Sequence, residues 1–579
     1  MASQDTPRNW WRTGTVYQVW PSSYKDSDAI GTPGLGDIKG VISTIPHLQK
    51  LGISIMWMSP MYESPQRDFG YDISDYTKVW PPFGTNEDMF ELIQKCHDAE
   101  IKVILDLVMN HTSDEHAWFK ESKSSRDNLK ADWYIWKDAK IGPDGKRMPP
   151  NNWRSIFEGS IWEWCEDRQQ YYLHLFAPAQ PDLNWEVAEV RQAIYRDAID
   201  FWMNHGVDGF RVDAVNLMSK DQTFQDAEIT EPDMFDQPCE KHFQNGPRMH
   251  EWMKEMHREV FDKYGDVMLV GELANSDSAK TLEYIGNDSR ELSMVFDGSV
   301  CDIQRLTRPM WEVEIPPLSD VKKGFQKQQD FLSAAWTTVF MENHDQPRSI
   351  NRFLTNDMKW HSKAGSLLAM LSGSLSGTLF IYQGQEIGMT NMPDWWDESH
   401  LRDPGDVNKL REIEKKYPDD KSRYDQVLGG IRRMGRDNAR TPVQWTSGEH
   451  AGFSKSKPWM DLQGNQDVVN IGKQEADQSS IFNTWKKMLE FRKKLESALV
   501  FGSFEVIDPS DEKVFAYIKD YHGEQIVLVV LNWTKHEQDF HVPGSLQDKT
   551  MDLLLANVDN ADMQEAKLGP YEGRMYLVD

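Results

Sequence analysis

The sequence predicts an α/β protein built on a closed (β/α)8 barrel, with a loop-rich insertion after the third strand and a C-terminal antiparallel β domain. Three observations predict this architecture. Short apolar runs alternate with helical patterns along most of the chain, this rhythm is interrupted once, and the last part of the chain changes to alternating strand-like runs. Alternation of strands with helices is typical of parallel sheets covered by helices.

The predicted barrel strands are eight apolar runs. In chain order they read TVYQVWP, ISIMWMSP, KVILDLVMNH, GFRVDAV, VMLVGEL, SMVFDG, WTTVFMENHD and GTLFIYQGQE. The segments between them carry helical periodicity. In TNEDMFELIQKCHDAEI, Thr85 and Asp88 resemble a capping box, and the apolar residues recur at i, i+3, i+4 and i+7. Eight such repeats favour a TIM barrel over an open sheet.

Two regions depart from the repeat. Segment 112–187 is rich in Trp, Pro, Asn and Gly and has no clean helical period, so we predict an insertion domain there. Beyond residue 502 the runs VFAYI, QIVLVVLNW and DFHVP predict an antiparallel C-terminal domain over 503–579. The barrel itself is predicted to comprise 1–111 and 188–502.

Composition narrows the classes of partner. Among 579 residues, 64 are basic and 92 acidic, which leaves a formal charge of -28. Because this charge repels phosphate backbones and anionic lipids, we expect no nucleic-acid or membrane partner. The N-terminus lacks the apolar core of a signal peptide, and the longest uncharged run, Gly365 to Tyr382, predicts a buried helix and strand. We therefore expect a cytoplasmic protein.

The run GFRVDAV places two opposite charges in an apolar setting. Gly206 is a good helix terminator, and a strand is predicted to begin near Gly209. Side chains at i and i+2 share a strand face, so Arg211 and Asp213 should point the same way. Taken alone, this pair is as well explained by a structural ion pair as by a functional site.

Polar residues follow several of the predicted strands, and in a barrel these strand ends meet on the face where active sites form. They are Asp106, Asn110 and His111 after the third strand, Arg211 and Asp213 on the fourth, Glu272 after the fifth, and His344 and Asp345 after the seventh. Converging carboxylates, without a thiolate, a phosphate loop or a close metal motif, fit acid/base and nucleophilic work on a glycosidic bond.

Local sequence suggests different roles for two of the carboxylates. The positive charge of Arg211 should favour the ionised form of Asp213, as a nucleophile requires. Glu272 is flanked by Val270, Gly271 and Leu273, and this apolar setting should favour the protonated form that a general acid requires.

Five motifs carry a resemblance to a known family: DLVMNH, GFRVDAV, VGEL, ENHDQP and RDNARTPVQW. The chain resembles the α-amylase clan of glycoside hydrolases, most closely the intracellular maltases and isomaltases of the oligo-1,6-glucosidase type, and among them the maltase type. The resemblance implies a retaining α-glucosidase with Asp213 as nucleophile, Glu272 as general acid/base and Asp345 as the third carboxylate. Retention requires the Asp213 and Glu272 carboxyls to lie about 5 to 5.5 Å apart.

The resemblance also implies a set of sugar-binding residues. Asp68 and Arg436 match the pair that grips the far hydroxyl of the terminal sugar, which implies attack from the non-reducing end. The implied set is Asp68, Tyr71, His111, Gln180, Arg211, His344 and Arg436.

Ala214, which follows the nucleophile, bears on linkage. In similar enzymes valine there accompanies α-1,6 substrates, while threonine or alanine accompanies α-1,4 substrates. We therefore expect maltose, sucrose and short α-1,4-glucosides to be preferred over isomaltose. The alternatives are an isomaltase, a transglucosidase of the sucrose isomerase type, and a catalytically inactive interaction scaffold. The scaffold fits less well, because all three carboxylates are present.

One departure from the family pattern concerns a metal. Similar proteins often carry a compact calcium loop, whereas this chain reads YKDSDAIGTPGLGDIKG, which is longer and interrupted. Asp26, Asp28 and Asp37 are the oxygen ligands it offers for a structural calcium ion. The expected chemistry requires no cofactor, and the sequence does not indicate an oligomeric state.

Overall fold

The computed structural model describes residues 9–274, 276–286, 289–559 and 566–579. All eight predicted barrel strands are present, and we number them β1 to β8 along the chain. Their bounds are Thr15–Val19, Ile55–Met58, Lys102–Leu107, Gly209–Val212, Met268–Gly271, Met294–Val295, Thr338–Val339 and Thr378–Tyr382.

The eight strands belong to one sheet with the order β6-β5-β4-β3-β2-β1-β8-β7. Strand β4 pairs in parallel with β3 and β5, and β8 pairs in parallel with β1 and β7. Because β1 lies between β2 and β8, the first and last strands are neighbours, as barrel topology requires. The predicted (β/α)8 fold is confirmed.

Burial explains why these strands are visible as apolar runs. All residues of β1, β2, β4, β5 and β8 are buried, and in β3 only Lys102 is partly exposed. Parallel strands covered on both faces carry continuous apolar sequences and not alternating ones.

The helix after β2 shows how local sequence sets the start of an element. The Thr85 amide donates to Asp88 Oδ2 at 2.9 Å, and the Asp88 amide donates to Thr85 Oγ1 at 3.2 Å, so the predicted capping box is present. The α-helices of eight or more described residues are Asn86–Asp98, Ala117–Ser124, Met249–Glu259, Ser278–Ile285, Leu318–Phe331, His361–Gly373, Pro404–Lys416, Lys421–Met434 and Ile481–Lys494. Shorter ones include Ile38–Ser43, Ile45–Leu51, Ala188–Ile194, Ser349–Phe353, Ile471–Ala476 and Glu496–Phe501.

The chain divides into two compact units. The first comprises Met1–Trp57, Lys95–Lys102 and Phe296–Asp579, and the second comprises Met58–Gln94 and Val103–Val295. Strands β4, β5 and β6 belong to the second unit, and β1, β7 and β8 to the first.

The predicted insertion, within the second unit, forms small antiparallel elements. Trp136–Lys137, Trp162–Cys165 and Gln170–Leu173 make a three-stranded sheet. Its side chains share a hydrophobic cluster with residues that follow β4, among them Leu217 and Phe243. The segment after β4 therefore contributes to this subdomain, although it lies outside the predicted bounds 112–187.

The C-terminal residues of the first unit form an antiparallel sheet of five strands, β9 to β13, in the order β9-β10-β11-β13-β12. The predicted runs VFAYI and QIVLVVLNW lie in β10 and β11. The predicted strand-like run DFHVP is strand only at its first residue, within the short strand Gln538–Asp539, and Pro543, which lacks an N–H, precedes a 3-10 turn. The bounds of β9 to β13 are Ser503–Ile507, Val514–Tyr521, Gln525–Asn532, Met551–Ala556 and Gly573–Val578.

The uncharged run from Gly365 to Tyr382 forms the end of helix His361–Gly373 and strand β8, as predicted. Across the part of the chain that the structure describes, no helix is long and apolar enough to cross a membrane.

Helix Lys421–Met434 provides a matched test of packing. A Cβ added at Gly430 would lie 2.6 Å from Trp311 Cα, so backbone would have to move, and we expect Gly430→Ala to cost about 1 to 3 kcal/mol. At the neighbouring Gly429 the nearest atom is Arg433 Nη1 at 3.7 Å. Gly429→Ala should instead stabilise the helix by up to about 1 kcal/mol. Melting temperatures measure both effects, and a Gly430→Ala variant as stable as Gly429→Ala would contradict this packing.

Candidate active site

The best candidate for a functional centre lies at the carboxyl end of strand β4, in the second unit. The preceding helix ends at Met203, and the turn after it closes at Gly206, whose amide donates to Met203 O at 3.1 Å and whose φ of +97° is the predicted left-handed conformation. The Asp213 amide donates to Leu107 O at 3.0 Å, so the ladder with β3 continues one residue past the strand. Ala214 then adopts φ +43° and turns the chain into the short 3-10 turn Val215–Leu217. This turn leaves Asp213 at the carboxyl end of β4.

The guanidinium of Arg211 joins carboxylates from three neighbouring strands. Its Nη1 lies 2.6 Å from Asp213 Oδ1 and 2.7 Å from Asp106 Oδ1, and its Nη2 lies 2.5 Å from Glu272 Oε2. The register explains the grouping, because Arg211 is paired with Asp106 on β3 and with Val270 on β5. The Arg211 side chain is only 3% exposed. A single buried cation therefore faces three carboxylates.

The electrostatic environment of Asp213 differs from the expectation. Burial raises the pKa of Asp213 to about 6, the positive charge of Arg211 opposes this rise, and the negative charge of Asp106 adds to it. Arg211 thus acts on the pKa in the predicted direction, but the cost of desolvating the carboxylate is larger. The predicted effect of Arg211, which favours the ionised form, is therefore present, but burial determines the net direction of the pKa shift.

The environment of Glu272 also differs from the expectation. Its amide donates to Val212 O at 2.9 Å, which places it just beyond β5. Its side chain is 43% exposed and contacts Arg211, so the predicted apolar setting is wrong. Flanking residues mislead here because the immediate neighbours Gly271 and Leu273 face away from Glu272 along an extended chain. Asp213 and Glu272 contact the same guanidinium, and their expected separation stays a prediction.

Four further predicted residues of the second unit lie in contact with one another. Gln180 Nε2 donates to Asp68 Oδ2 at 3.0 Å and lies 3.2 Å from His111 Nε2. The Tyr71 hydroxyl donates to Asp106 Oδ1 at 3.3 Å, which connects this group to Arg211. Burial lowers the pKa of His111, so its ring is neutral at neutral pH. Hydroxyl, amide, imidazole and carboxylate groups together suit the binding of sugar hydroxyls.

Ala214 is 6% exposed and packs in the hydrophobic cluster that includes Trp153, Leu173 and Leu217. Its side chain is therefore in contact with the insertion subdomain of the second unit. The left-handed backbone of Ala214 is rare for a residue with a Cβ. The sequence pattern around Arg211 and Asp213 did not predict this conformation.

In the first unit, three predicted residues form a second group. Asp345 Oδ2 lies 3.3 Å from His344 Nε2, and Asp345 Oδ1 lies 3.5 Å from Arg436 Nη1. His344 in turn lies 2.9 Å from Gln18 Nε2 through its Nδ1 and stacks on Trp20 with ring centroids 5.3 Å apart. These contacts hold the imidazole in one orientation.

Two residues of the first-unit group were missed. Arg440 Nη2 lies 2.9 Å from Asp345 Oδ1, and Asp403 Oδ2 lies 2.7 Å from Arg436 Nη2. Arg440 could have been found, because it lies four residues after Arg436 inside RDNARTPVQW and so shares a helix face with it. Nothing in the sequence around Asp403 connects it to Arg436.

The loop considered for calcium does not fit a metal. Asp26 accepts hydrogen bonds from the amides of Asp28 and Gly34 and from Ser454, and Asp37 accepts from Ser27 and caps helix Ile38–Ser43. These oxygens are satisfied by N–H and O–H donors instead of surrounding a cation. Among the residues described, no group of three or more His, Cys, Asp or Glu is arranged to hold a metal.

Comparison with protein-family models identifies two matches. The α-amylase catalytic domain model matches residues 18–502, and the maltogenic amylase C-terminal domain model matches residues 504–575. The first match includes both groups of candidate residues.

Individual relatives align over nearly the whole chain. An α-glucosidase of Candida albicans is 45% identical over 98% of this chain and 99% of its own. An oligo-1,6-glucosidase of Saccharomyces cerevisiae is 39% identical over 98% of each chain. Among solved structures, an isomaltulose synthase of Erwinia rhapontici in complex with sucrose is 33% identical, with a TM-score of 0.90 over 99% of this chain and 100% of that one.

The raised pKa of Asp213 predicts a pH-dependent effect of Asp213→Asn on stability. The folded protein binds the Asp213 proton more tightly than the unfolded chain, so wild type loses stability as pH rises through about 6. Asparagine cannot ionise. The free energy of unfolding of the variant, relative to wild type, should therefore increase by up to about 3 kcal/mol between about pH 4 and 7.5. Denaturant unfolding across this range measures the difference, and a difference independent of pH would contradict the assignment.

Proposed function

The chain belongs to the α-amylase family of glycoside hydrolases, and on that basis we propose that it is an exo-acting retaining α-glucosidase. It is proposed to release α-glucose from the non-reducing ends of maltose, sucrose and short α-1,4-glucosides. The observation that carries the proposal is the contact of Asp213 and Glu272 with one buried guanidinium. A retaining glycosidase needs two carboxyl groups about 5 to 5.5 Å apart, and contact with one guanidinium keeps these two groups near each other.

In the first proposed step, a carboxylate oxygen of Asp213 attacks the anomeric carbon of the terminal glucose. Glu272 gives its proton to the glycosidic oxygen, the bond to the leaving sugar breaks, and a covalent glucosyl–enzyme forms. In the second step, ionised Glu272 takes a proton from water, whose oxygen attacks the same carbon. The ester bond to Asp213 breaks, α-glucose leaves, and Glu272 is again protonated. The reaction needs no cofactor.

The surroundings of the two carboxylates suit these roles. With a pKa of about 6, Asp213 is mainly ionised at neutral pH, yet burial keeps it weakly solvated and hence reactive. Glu272 is the more exposed of the two, at 43% against 11% for Asp213, which gives it access to the leaving sugar and to water. Arg211 contacts both and limits their movement.

The remaining predicted residues are proposed to bind sugar hydroxyls. In the second unit these are Asp68, Tyr71, His111 and Gln180. In the first unit, taken by itself, they are His344, Asp345 and Arg436. Asp345 is proposed as the third carboxylate, which binds sugar hydroxyls most strongly in the transition state. Neutral His111 can donate a hydrogen bond to a sugar hydroxyl or accept one from it.

The named relatives do not by themselves decide the linkage, because they include both an α-glucosidase and an oligo-1,6-glucosidase. We propose α-1,4 preference from Ala214, whose short side chain leaves room beside the nucleophile. The sucrose complex of the isomaltulose synthase supports sucrose as a further substrate class. Similarity to the isomaltulose synthase also supports a second candidate function, a transglucosidase of the sucrose isomerase type. Such an enzyme would transfer the glucosyl group instead of hydrolysing the glycosidic bond.

The assignment of the nucleophile is tested with p-nitrophenyl α-glucoside. Wild type should release p-nitrophenol, and Asp213→Ala should lower kcat/KM by a factor on the order of 10⁴ or more, because no covalent intermediate can form. Asp138→Ala is the matched control, since Asp138 is a surface aspartate of the same unit, 71% exposed. Proton NMR should detect α-glucose as the first product. An inactive wild type would refute the enzyme, and an active Asp213→Ala would refute this nucleophile.

The proposed linkage preference is tested through the ratio of kcat/KM for maltose to that for isomaltose. The ratio should exceed one in wild type and fall by about tenfold or more in Ala214→Val, the size expected for added methyl groups beside a bound ring. Valine also disfavours the +43° φ of this position, so the variant should be less stable, but the ratio does not depend on the folded fraction. Ala214→Gly, which tolerates positive φ, is the control that should keep the maltose preference. Isomaltose as the better wild-type substrate would contradict the argument.

A further inference from the structure

Asp403, in the first unit, is a buried carboxylate that no part of the proposed mechanism uses. Its side chain is 3% exposed, and it caps helix Pro404–Lys416 by accepting the Asp406 amide through Oδ1 at 3.1 Å. The cap requires only one oxygen. The other oxygen, Oδ2, is directed at two guanidiniums.

Those two guanidiniums also contact Asp345. Asp403 Oδ2 accepts hydrogen bonds from Arg436 Nε at 2.8 Å and from Arg440 Nη1 at 3.0 Å. Arg440 Nη2 lies 2.9 Å and Arg436 Nη1 3.5 Å from Asp345 Oδ1. Two cations thus alternate with two anions, and the charges balance within the group.

The four members differ in exposure, which separates their functions. Asp345 and Arg436 are 28% and 25% exposed, whereas Asp403 and Arg440 are 3% and 1% exposed. The exposed pair can reach a ligand. The buried pair can act on a ligand only through the exposed pair.

The backbone around Asp403 is itself fixed. Asp437 Oδ2 accepts the amides of Arg402 at 2.6 Å and of Asp403 at 3.0 Å. Asp437 is fully buried and begins the short helix that ends at Arg440. The Asp403 carboxylate is therefore held by the same segment that carries Arg436 and Arg440. This arrangement suits a residue that positions other side chains.

We infer that Asp403 is a positioning residue, which orients Arg436 and shares the charge of both arginines so that Asp345 is held for the substrate. The inference rests on the proposed function, since it needs Asp345 and Arg436 to bind sugar. Without the Asp403 carboxylate, the partly exposed Arg436 loses its 2.7 Å ion pair with Asp403 and is less firmly held. Substrate binding should then suffer more than the chemistry at Asp213.

Asp406 offers a matched control, since it is a buried aspartate in the first turn of the helix that Asp403 caps. Its Oδ2 has no hydrogen-bond partner among the described residues. Burial, with the negative charges of Asp403 and Asp437, raises the pKa of Asp406 to about 8, while Arg436 and Arg440 oppose the rise. Asp406 is therefore protonated at neutral pH, and asparagine closely resembles that form.

The test compares Asp403→Asn with Asp406→Asn in steady-state kinetics on p-nitrophenyl α-glucoside. We expect Asp403→Asn to lower kcat/KM by about tenfold or more, chiefly through a higher KM, and Asp406→Asn to change it by less than about twofold. Asp403→Glu is the second variant in case Asp403→Asn does not fold. It keeps the charge but displaces it, and it should also raise KM.

A double-mutant cycle separates positioning from general damage. In an Arg436→Met background, adding Asp403→Asn should lower kcat/KM by less than about twofold, because the residue through which it acts is gone. A full effect in that background, or a wild-type KM in Asp403→Asn or Asp403→Glu, would overturn the inference. An inactive wild type would instead refute the proposed function, so the two failures are distinguishable.

Discussion

The arrangement of the candidate site in the second unit depends on the ion pairs of the buried Arg211 guanidinium. A lone buried cation is costly, and three carboxylates within contact distance would repel one another without it. Neither part is stable alone, so Arg211, Asp106, Asp213 and Glu272 constrain one another. The parallel register of β3, β4 and β5 brings them together. One barrel strand thus supplies both the proposed nucleophile, Asp213, and the charge of Arg211 that holds it in place.

The first unit also combines buried and partly exposed charges, in equal numbers of cations and anions. There two guanidiniums, from Arg436 and Arg440, lie between Asp345 and Asp403. In each group, buried ions contact the partly exposed groups that are proposed to bind sugar. Held groups need little reorganisation when substrate binds, which is the physical advantage of such preorganisation. The cost is a set of buried charges that do little for stability on their own.

Local sequence predicted the features that are decided locally. The apolar runs of the eight strands, the capping box at Thr85 and the left-handed turn at Gly206 each depend on residues a few positions apart. Local sequence failed to predict the features that depend on residues distant in the chain. The net pKa of Asp213 reflects its burial, the exposure of Glu272 reflects which face its side chain takes, and the partners of Asp403 lie more than thirty positions away. The motifs that resemble a family supplied the proposed catalytic residues and Arg211, but not Asp403.

The turn at Ala214 shows that backbone and specificity are linked at one residue. The amide of Glu272 donates to Val212 O, and the amide of Val215 donates back to Glu272 O at 3.1 Å. The second bond forms only because the left-handed Ala214 reverses the chain immediately after Asp213. The residue whose side-chain size is proposed to bear on linkage therefore also fixes the Cα positions of Asp213 and Glu272 relative to each other. A substitution at residue 214 acts through both routes, and only the glycine variant changes side-chain size without opposing the positive φ.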